Sequence, residues 1–233
     1  MSDQQRWQYD ERSQVGVDYA QAEEAGNYDA RHGQFRDVKT ENDGILDAIQ
    51  LQPEQTLIDI GAGTGSLAIQ AAQRCQQVFA VDISPAMLAC ARQKAASAGI
   101  ENIEFCDGGF LTYVHATEPV DAVVSCIALH HLPDFWKGFA LRRIHDMLKP
   151  RGRFYLADVI FEDQNAMENA QRWTDGLAAV GGDRLRDDAE RHLRAEFSTF
   201  DWIMDGLLTR AGFRVVHRNF KDGVLGSYLC ERE

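Results

Sequence analysis

The stretch Thr56-Leu57-Ile58-Asp59-Ile60-Gly61-Ala62-Gly63-Thr64-Gly65 runs a short apolar segment straight into a glycine turn. Leu67, Ala68, Ala71 and Ala72 follow at helical spacing. A strand that enters a helix through glycines lets backbone approach a ligand closely, because no Cβ stands in the way. The spacing is GxGxG. The dinucleotide fingerprint GxGxxG would put its third glycine at Ser66, and the phosphate loop GxxxxGK[ST] needs a lysine that is absent here.

Outward from this turn the pattern repeats. Val78-Phe79-Ala80-Val81 reads as a second strand ending in Asp82. Ser84-Pro85 is a helix start, since Ser accepts orphan N–H groups at the N-cap and Pro fits the first turn. Met87, Leu88, Ala91 and Ala95 make that helix's buried stripe, and Gly99 closes it. Residues 102–106 read as a third strand before Asp107-Gly108-Gly109. Residues 120–127 read as a fourth, apolar enough to be buried on both faces. Pro133-Asp134 opens another helix, and Pro150-Arg151-Gly152 turns into a fifth strand over 153–158.

The stretch 160–198 interrupts the alternation. It reads as two helices, and 163–198 as a lid insertion. An amphipathic helix from Phe200 to Ala211 and strands over 213–216 and 225–230 complete the chain. Alternating strands and helices predict an α/β fold with a mostly parallel sheet. Ligands in such sheets sit beyond the carboxyl ends of the strands. Asp82, Asp107, His130 and Asp158 fall at those ends.

The 233 residues carry 36 acids against 24 bases, a net charge of −12. Nucleic-acid binding draws on Lys and Arg against phosphate, and anionic membranes repel an acidic chain, so neither partner is expected. The first 60 residues hold 13 acids and 5 bases, which concentrates the acidity ahead of the glycine turn. Residues 1–50 read as an N-terminal helical cap, and 51–233 as the main domain with its lid. The five cysteines are widely spaced and show no zinc-ligand pattern, so no metal is expected and they read as reduced thiols. The polar start Met1-Ser2-Asp3-Gln4-Gln5 lacks a basic leader, and the longest uncharged stretch, 122–133, is too short to span a bilayer. A cytoplasmic location is the expectation. Oligomeric state leaves no mark in the sequence.

Two carboxylates suit a nucleoside bound over the glycine turn. Asp82 can accept both ribose hydroxyls, as at the second strand of dinucleotide folds. Asp107 can accept from an adenine amino group. Each alone also suits an ordinary helix start or turn.

Taken together these segments resemble the class I S-adenosylmethionine-dependent methyltransferases. The resemblance rests on residues 57–65, 81–88, Asp107-Gly108, 121–132 and Leu148-Lys149-Pro150-Arg151-Gly152-Arg153, with Arg151 where glycine is common. It implies a Rossmann-like class I methyltransferase fold: a seven-stranded, mostly parallel sheet with an antiparallel last strand. His130-His131-Leu132, residues 157–162, residues 197–201 and Gln34-Phe35-Arg36 are further similar to the small bacterial methyltransferases of the YrrT type.

The resemblance implies S-adenosylmethionine as cofactor, held by Asp59, Gly61, Ala62, Gly63, Gly65, Asp82, Ile83, Met87, Asp107, Gly108, Phe110 and Cys126. Ile83 and Phe110 would sandwich the adenine. Arg36, with Tyr28 and His32 near it in sequence, would meet the methionine carboxylate. His130 and His131, beside the expected methyl position, and Asp158 are the candidate catalytic residues.

The function implied is in-line methyl transfer to a small neutral or cationic molecule. Transfer to O, N, S or C stays open, as does the use of a general base. The alternatives are a protein or nucleic-acid methyltransferase, a non-catalytic S-adenosylmethionine-binding regulator, and a nicotinamide oxidoreductase. The acidity, and the Ser125-Cys126-Ile127-Ala128 that stands where amino-methylating enzymes often carry [DNS]-P-P-[YFW], weigh against the first; intact elements at all four strand ends against the second; Ser66 and Asp107-Gly108 against the third.

Overall fold

The computed structural model describes residues 7–13, 16, 25–26, 28–30, 33–34 and 36–233. Helix α1 (Val38–Ala48) starts where Asp37 accepts the Thr40 N–H. Then β1 (Thr56–Ile60), α2 (Ser66–Ala72), β2 (Gln77–Asp82), α3 (Pro85–Ser97), β3 (Ile103–Asp107) and β4 (Val120–Cys126) alternate. Helix α4 (Asp134–Met147), β5 (Leu148–Phe161), α5 (Ala166–Ala195), the two-residue β6 (Thr199–Phe200), α6 (Asp201–Arg210), β7 (Phe213–Lys221) and β8 (Leu225–Arg232) follow.

The sheet order is β3-β2-β1-β4-β5-β8-β7, with β6 pairing to β5 at one end. Strands β1 to β5 run parallel, and the last strand, β8, is antiparallel to both neighbours. Reversal between β1 and β4 opens a crevice at the carboxyl ends of those strands, where such folds bind ligands.

Both sheet faces are covered. Ile45, Leu46, Leu67, Ala68 and Ala71 pack one face against Leu57, Val78 and Val124. Ala140, Leu141, Ile144, Met204 and Leu208 pack the other against Ile58, Val123 and Phe154. Burying a Leu, Ile or Phe side chain contributes about 1.5–3 kcal/mol, so this double layer holds the strand ends rigidly.

Two boundaries differ from the sequence reading, at 150–152 and at the end of β7. The turn at 150–152 is a bulge inside a longer β5, whose Leu148 already pairs with Val120. Arg151 there has a φ of 63°. Strand β7 runs on to Lys221, because an edge strand pairs through its backbone and tolerates exposed His217 and Arg218. The insertion after strand five is two helices, as read, joined at Gly182, whose φ of 67° breaks the helix there. Among the described residues no helix is long and apolar enough to cross a membrane.

Candidate active site

The glycine turn is tied to the neighbouring strand. Gly61 and Ala62 donate their N–H groups to the Val81 carbonyl at 2.8 and 3.0 Å. Gly61 has a φ of 80°, and a Cβ there would lie 2.4 Å from the Ala128 Cβ, so a side chain is excluded twice over. Gly63, at a φ of 54°, instead has open space where its Cβ would be. Its N–H donates to Asp82 Oδ2 at 2.8 Å, while the Ser84 N–H donates to Oδ1 at 2.8 Å. Burial raises the Asp82 carboxyl despite these donors. Asp59 lies behind the turn, buried, and its Oδ2 has no hydrogen-bond partner among the described residues. Burial first, and the charge of Asp82 second, push it up to about 7.

A cleft of about 890 Å³, open mouth included, starts at this turn. Gly61, Gly63, Asp82, Ile83 and Met87 line one end, with Gly108 and Phe110 beside them. His130 and His131 line the other end. Tyr28 also faces the cleft, as do Glu11 and Ser13 from the N-terminal segment.

Backbone strain aims the histidine wall. Ile127, just after β4, has a φ of 52°, a rare conformation for a β-branched residue that costs about 1–3 kcal/mol. Its N–H donates to the Ala157 carbonyl at 2.7 Å, which holds it there. The chain then enters the single 3-10 turn Leu129–His131, which carries both histidines.

His130 is clamped. Its Nδ1 lies 2.5 Å from Asp158 Oδ1, and its backbone N–H donates to Asp158 Oδ2 at 3.0 Å. The Val159 N–H donates to the same carboxylate at 2.7 Å. On the opposite edge of the ring, Nε2 lies 3.3 Å from Glu196 Oε2. Burial opposes charge on this ring, but Asp158 and Glu196 outweigh it and raise its basicity. Although burial opposes charge on Asp158, His130 and the Val159 N–H bring it down to about 2. Burial, and then the neighbouring His130, lower His131 to about 4, so it is uncharged at neutral pH.

The remaining sequence candidates lie elsewhere. Ala62 and Gly65 shape the turn from behind, Gly65 by letting Ala91 approach. Cys126 packs into the core at the end of β4, where burial raises its thiol well above the ordinary range. Asp107 is bound by Arg12 at 2.9 and 3.0 Å. Arg36 pairs with Glu41 at 2.6 and 2.8 Å and is not among the residues lining the cleft. His32 lies outside the described residues.

Several site residues carried no sequence signal. Glu11 lines the cleft and accepts from the Leu111 and Thr112 N–H groups at 2.8–3.1 Å, yet it sits in a stretch without periodicity. Glu196 and His192 reach His130 from the end of α5. Their four-residue spacing on a helix was the available clue, masked by the many charges around it.

Comparison with known proteins follows the same lines. The profile described as a methyltransferase domain matches residues 57–152. The chain is 33% identical over 180 residues to an uncharacterized methyltransferase of Geobacillus kaustophilus, spanning 77% of this chain and 79% of that one. It is 30% identical over 182 residues to the uncharacterized methyltransferase YrrT of Bacillus subtilis, spanning 78% and 80%. Among solved structures, a SAM dependent methyltransferase from Aquifex aeolicus superposes with a TM-score of 0.65 at 16% identity, over 91% of this chain and 99% of that one.

Proposed function

The chain belongs to the methyltransferase-domain family, with S-adenosylmethionine as its methyl donor, and from that premise we propose that it methylates a small molecule held against the His130–His131 wall. The observation that carries this reading is a single cleft joining the glycine turn and Asp82 to the two histidines.

The residues fit the donor. The open side of Gly63 leaves room for a ligand close to backbone, and the unpartnered Asp59 Oδ2 suits the nearby charge of a cationic group. Asp82 would take the ribose hydroxyls, Ile83 and Phe110 the flanks of the adenine. When bound, S-adenosylmethionine supplies a methyl group on a positively charged sulfur, with a neutral thioether as leaving group.

The protein's own task is to hold an acceptor in line and exclude water. Glu11 and Ser13 wall the cleft from the N-terminal segment. A protonated acceptor must also lose a proton at the wall. His130 and its carboxylate neighbours are the groups there that can handle it, and Asp158 fixes the ring's orientation. The acidic N-terminal segment favours a neutral or cationic acceptor over a polyanion. Five free thiols suit a reducing, cytoplasmic setting.

Thermal-shift measurement tests the donor site. S-adenosylhomocysteine is expected to stabilise the protein and NAD to leave it unchanged; the reverse pattern overturns the reading. A screen of small thiols, phenols, amines and carboxylates with methyl-labelled donor then tests the acceptor. Label incorporated only into protein or nucleic acid would refute the small-molecule assignment.

A further inference from the structure

We propose that His130, His192 and Glu196 bind one divalent transition-metal ion of the zinc type on the acceptor side of the cleft. The proposal rests on reading that cleft as the methyl-transfer site. One ligand atom from each residue lies within 4.8 Å of the other two. His130 Nε2 and Glu196 Oε2 are 3.3 Å apart, close to the edge of a tetrahedron around an ion with bonds of about 2.1 Å. His192 Nδ1 contacts the same Glu196 oxygen.

The outer groups match a metal site as well. Metal-bound histidines commonly donate their second ring nitrogen to a carboxylate, carbonyl or water, which fixes the tautomer. Here the far nitrogen of each ring has an acceptor: Asp158 Oδ1 at 2.5 Å from His130 Nδ1, and Ser198 Oγ at 2.7 Å from His192 Nε2. With those nitrogens donating, His130 Nε2 and His192 Nδ1 turn their lone pairs towards a carboxylate. Three electron-rich atoms then converge, which a shared proton satisfies in the metal-free protein and a divalent cation would satisfy when bound. Lys137 does not fill that role, because its ammonium is bound to Asp134 and the Phe197 carbonyl.

Two elements bring the ligands together. His130 comes from the strained turn after β4, and His192 and Glu196 share one face at the end of α5. The Phe197 N–H donates to the His130 carbonyl at 2.8 Å and pins the two segments to each other. Three protein ligands leave a fourth position, as in catalytic zinc sites, and His130 borders the cleft. The acceptor class this site takes is a small thiol or hydroxyl compound. With the ion bound, both ring nitrogens of His130 are engaged, so the acceptor's proton passes to water instead, as its sulfur or oxygen binds as the anion, since a divalent ion lowers the pKa of what it ligates.

The test is titration of the full-length, chelator-treated protein with Zn²⁺ by calorimetry, and with Co²⁺ by visible absorption. One equivalent of Zn²⁺ per chain is expected, with intense tetrahedral-type Co²⁺ bands. His192→Gln and Glu196→Gln, each checked for folding by thermal melt, should bind at least about tenfold more weakly. No stoichiometric binding by the parent protein, or equal binding by both variants, overturns the proposal. S-adenosylhomocysteine binding on the same sample separates the two readings. Donor binding without zinc binding sinks the metal site alone, and zinc binding without donor binding sinks the methyltransferase reading of the cleft.

Discussion

Arg12 grips Asp107 through two contacts of 2.9 and 3.0 Å, so the N-terminal segment holds the carboxylate at the tip of β3. Both side chains are about half exposed, at 45% and 60%, which keeps the pair within the 0–1 kcal/mol typical of surface ion pairs. If Asp107 takes the adenine amino group, the donor competes with Arg12. Arg12→Ala is then expected to tighten S-adenosylhomocysteine binding by up to about fivefold in calorimetry. Weaker binding in the variant would show that Arg12 clamps the bound donor instead.

Asp158 touches His130 through both carboxylate oxygens, which makes it a positioning residue for the ring. Asp158→Asn should lower kcat about 100-fold once an acceptor is identified, and leave S-adenosylhomocysteine affinity within about twofold. His130→Ala should likewise bind the product and lose turnover. Equal losses of binding and turnover in Asp158→Asn would indicate a purely structural role.

Asp59 gives a pH signature. Its carboxyl stands at about 7 in the folded protein against an ordinary 3.8, so the native state holds the proton more tightly than the unfolded chain. Stability of the unliganded protein therefore falls as pH rises from about 4 to about 7, and the full cost persists above that range. Asp59→Asn cannot ionise. Its stability advantage over the parent should grow from about pH 5 to about pH 8, reaching on the order of 2–4 kcal/mol by denaturant unfolding. A difference that is the same at both pH values would contradict the buried, raised carboxyl.

Glu11 supplies the acceptor for two backbone N–H groups in the loop after β3, at Leu111 and Thr112. Removing it leaves those donors without that acceptor, a cost of about 1–3 kcal/mol. Glu11→Ala should lower the denaturant midpoint accordingly and weaken S-adenosylhomocysteine binding. A variant that loses neither would show that water replaces the carboxylate.

The parallel core was legible because β1, β2 and β4 are mostly apolar runs that end at a glycine turn or a strand-end acid or loop, and β3 keeps the alternation and the terminal acid. The glycine turn and Asp82 were legible for the same reason, since their neighbours in space are near neighbours in the alternation. Exposed His217 and Arg218 hid the far half of β7, because edge pairing uses backbone that no side-chain pattern reports. Glu11 was invisible, since its role is set by N–H groups far along the chain. Arg36, expected at the donor carboxylate, pairs with Glu41, five residues on. The His130 cluster was half legible: its strand-end members stood out, while its lid members looked like a solvated helix face.

The cleft's two ends are built from different kinds of structure. The donor end is set into the sheet, between β1, β2 and the helices packed on them. The histidine wall is backed by the last turn of α5, which reaches His130 through Glu196 and His192 and contributes no strand to the sheet. Substitutions in that turn therefore leave the strands beneath the donor pocket in place. Such an architecture lets acceptor preference drift across relatives while methyl-donor recognition stays constant, and it marks residues 192–198 as the place to redesign specificity.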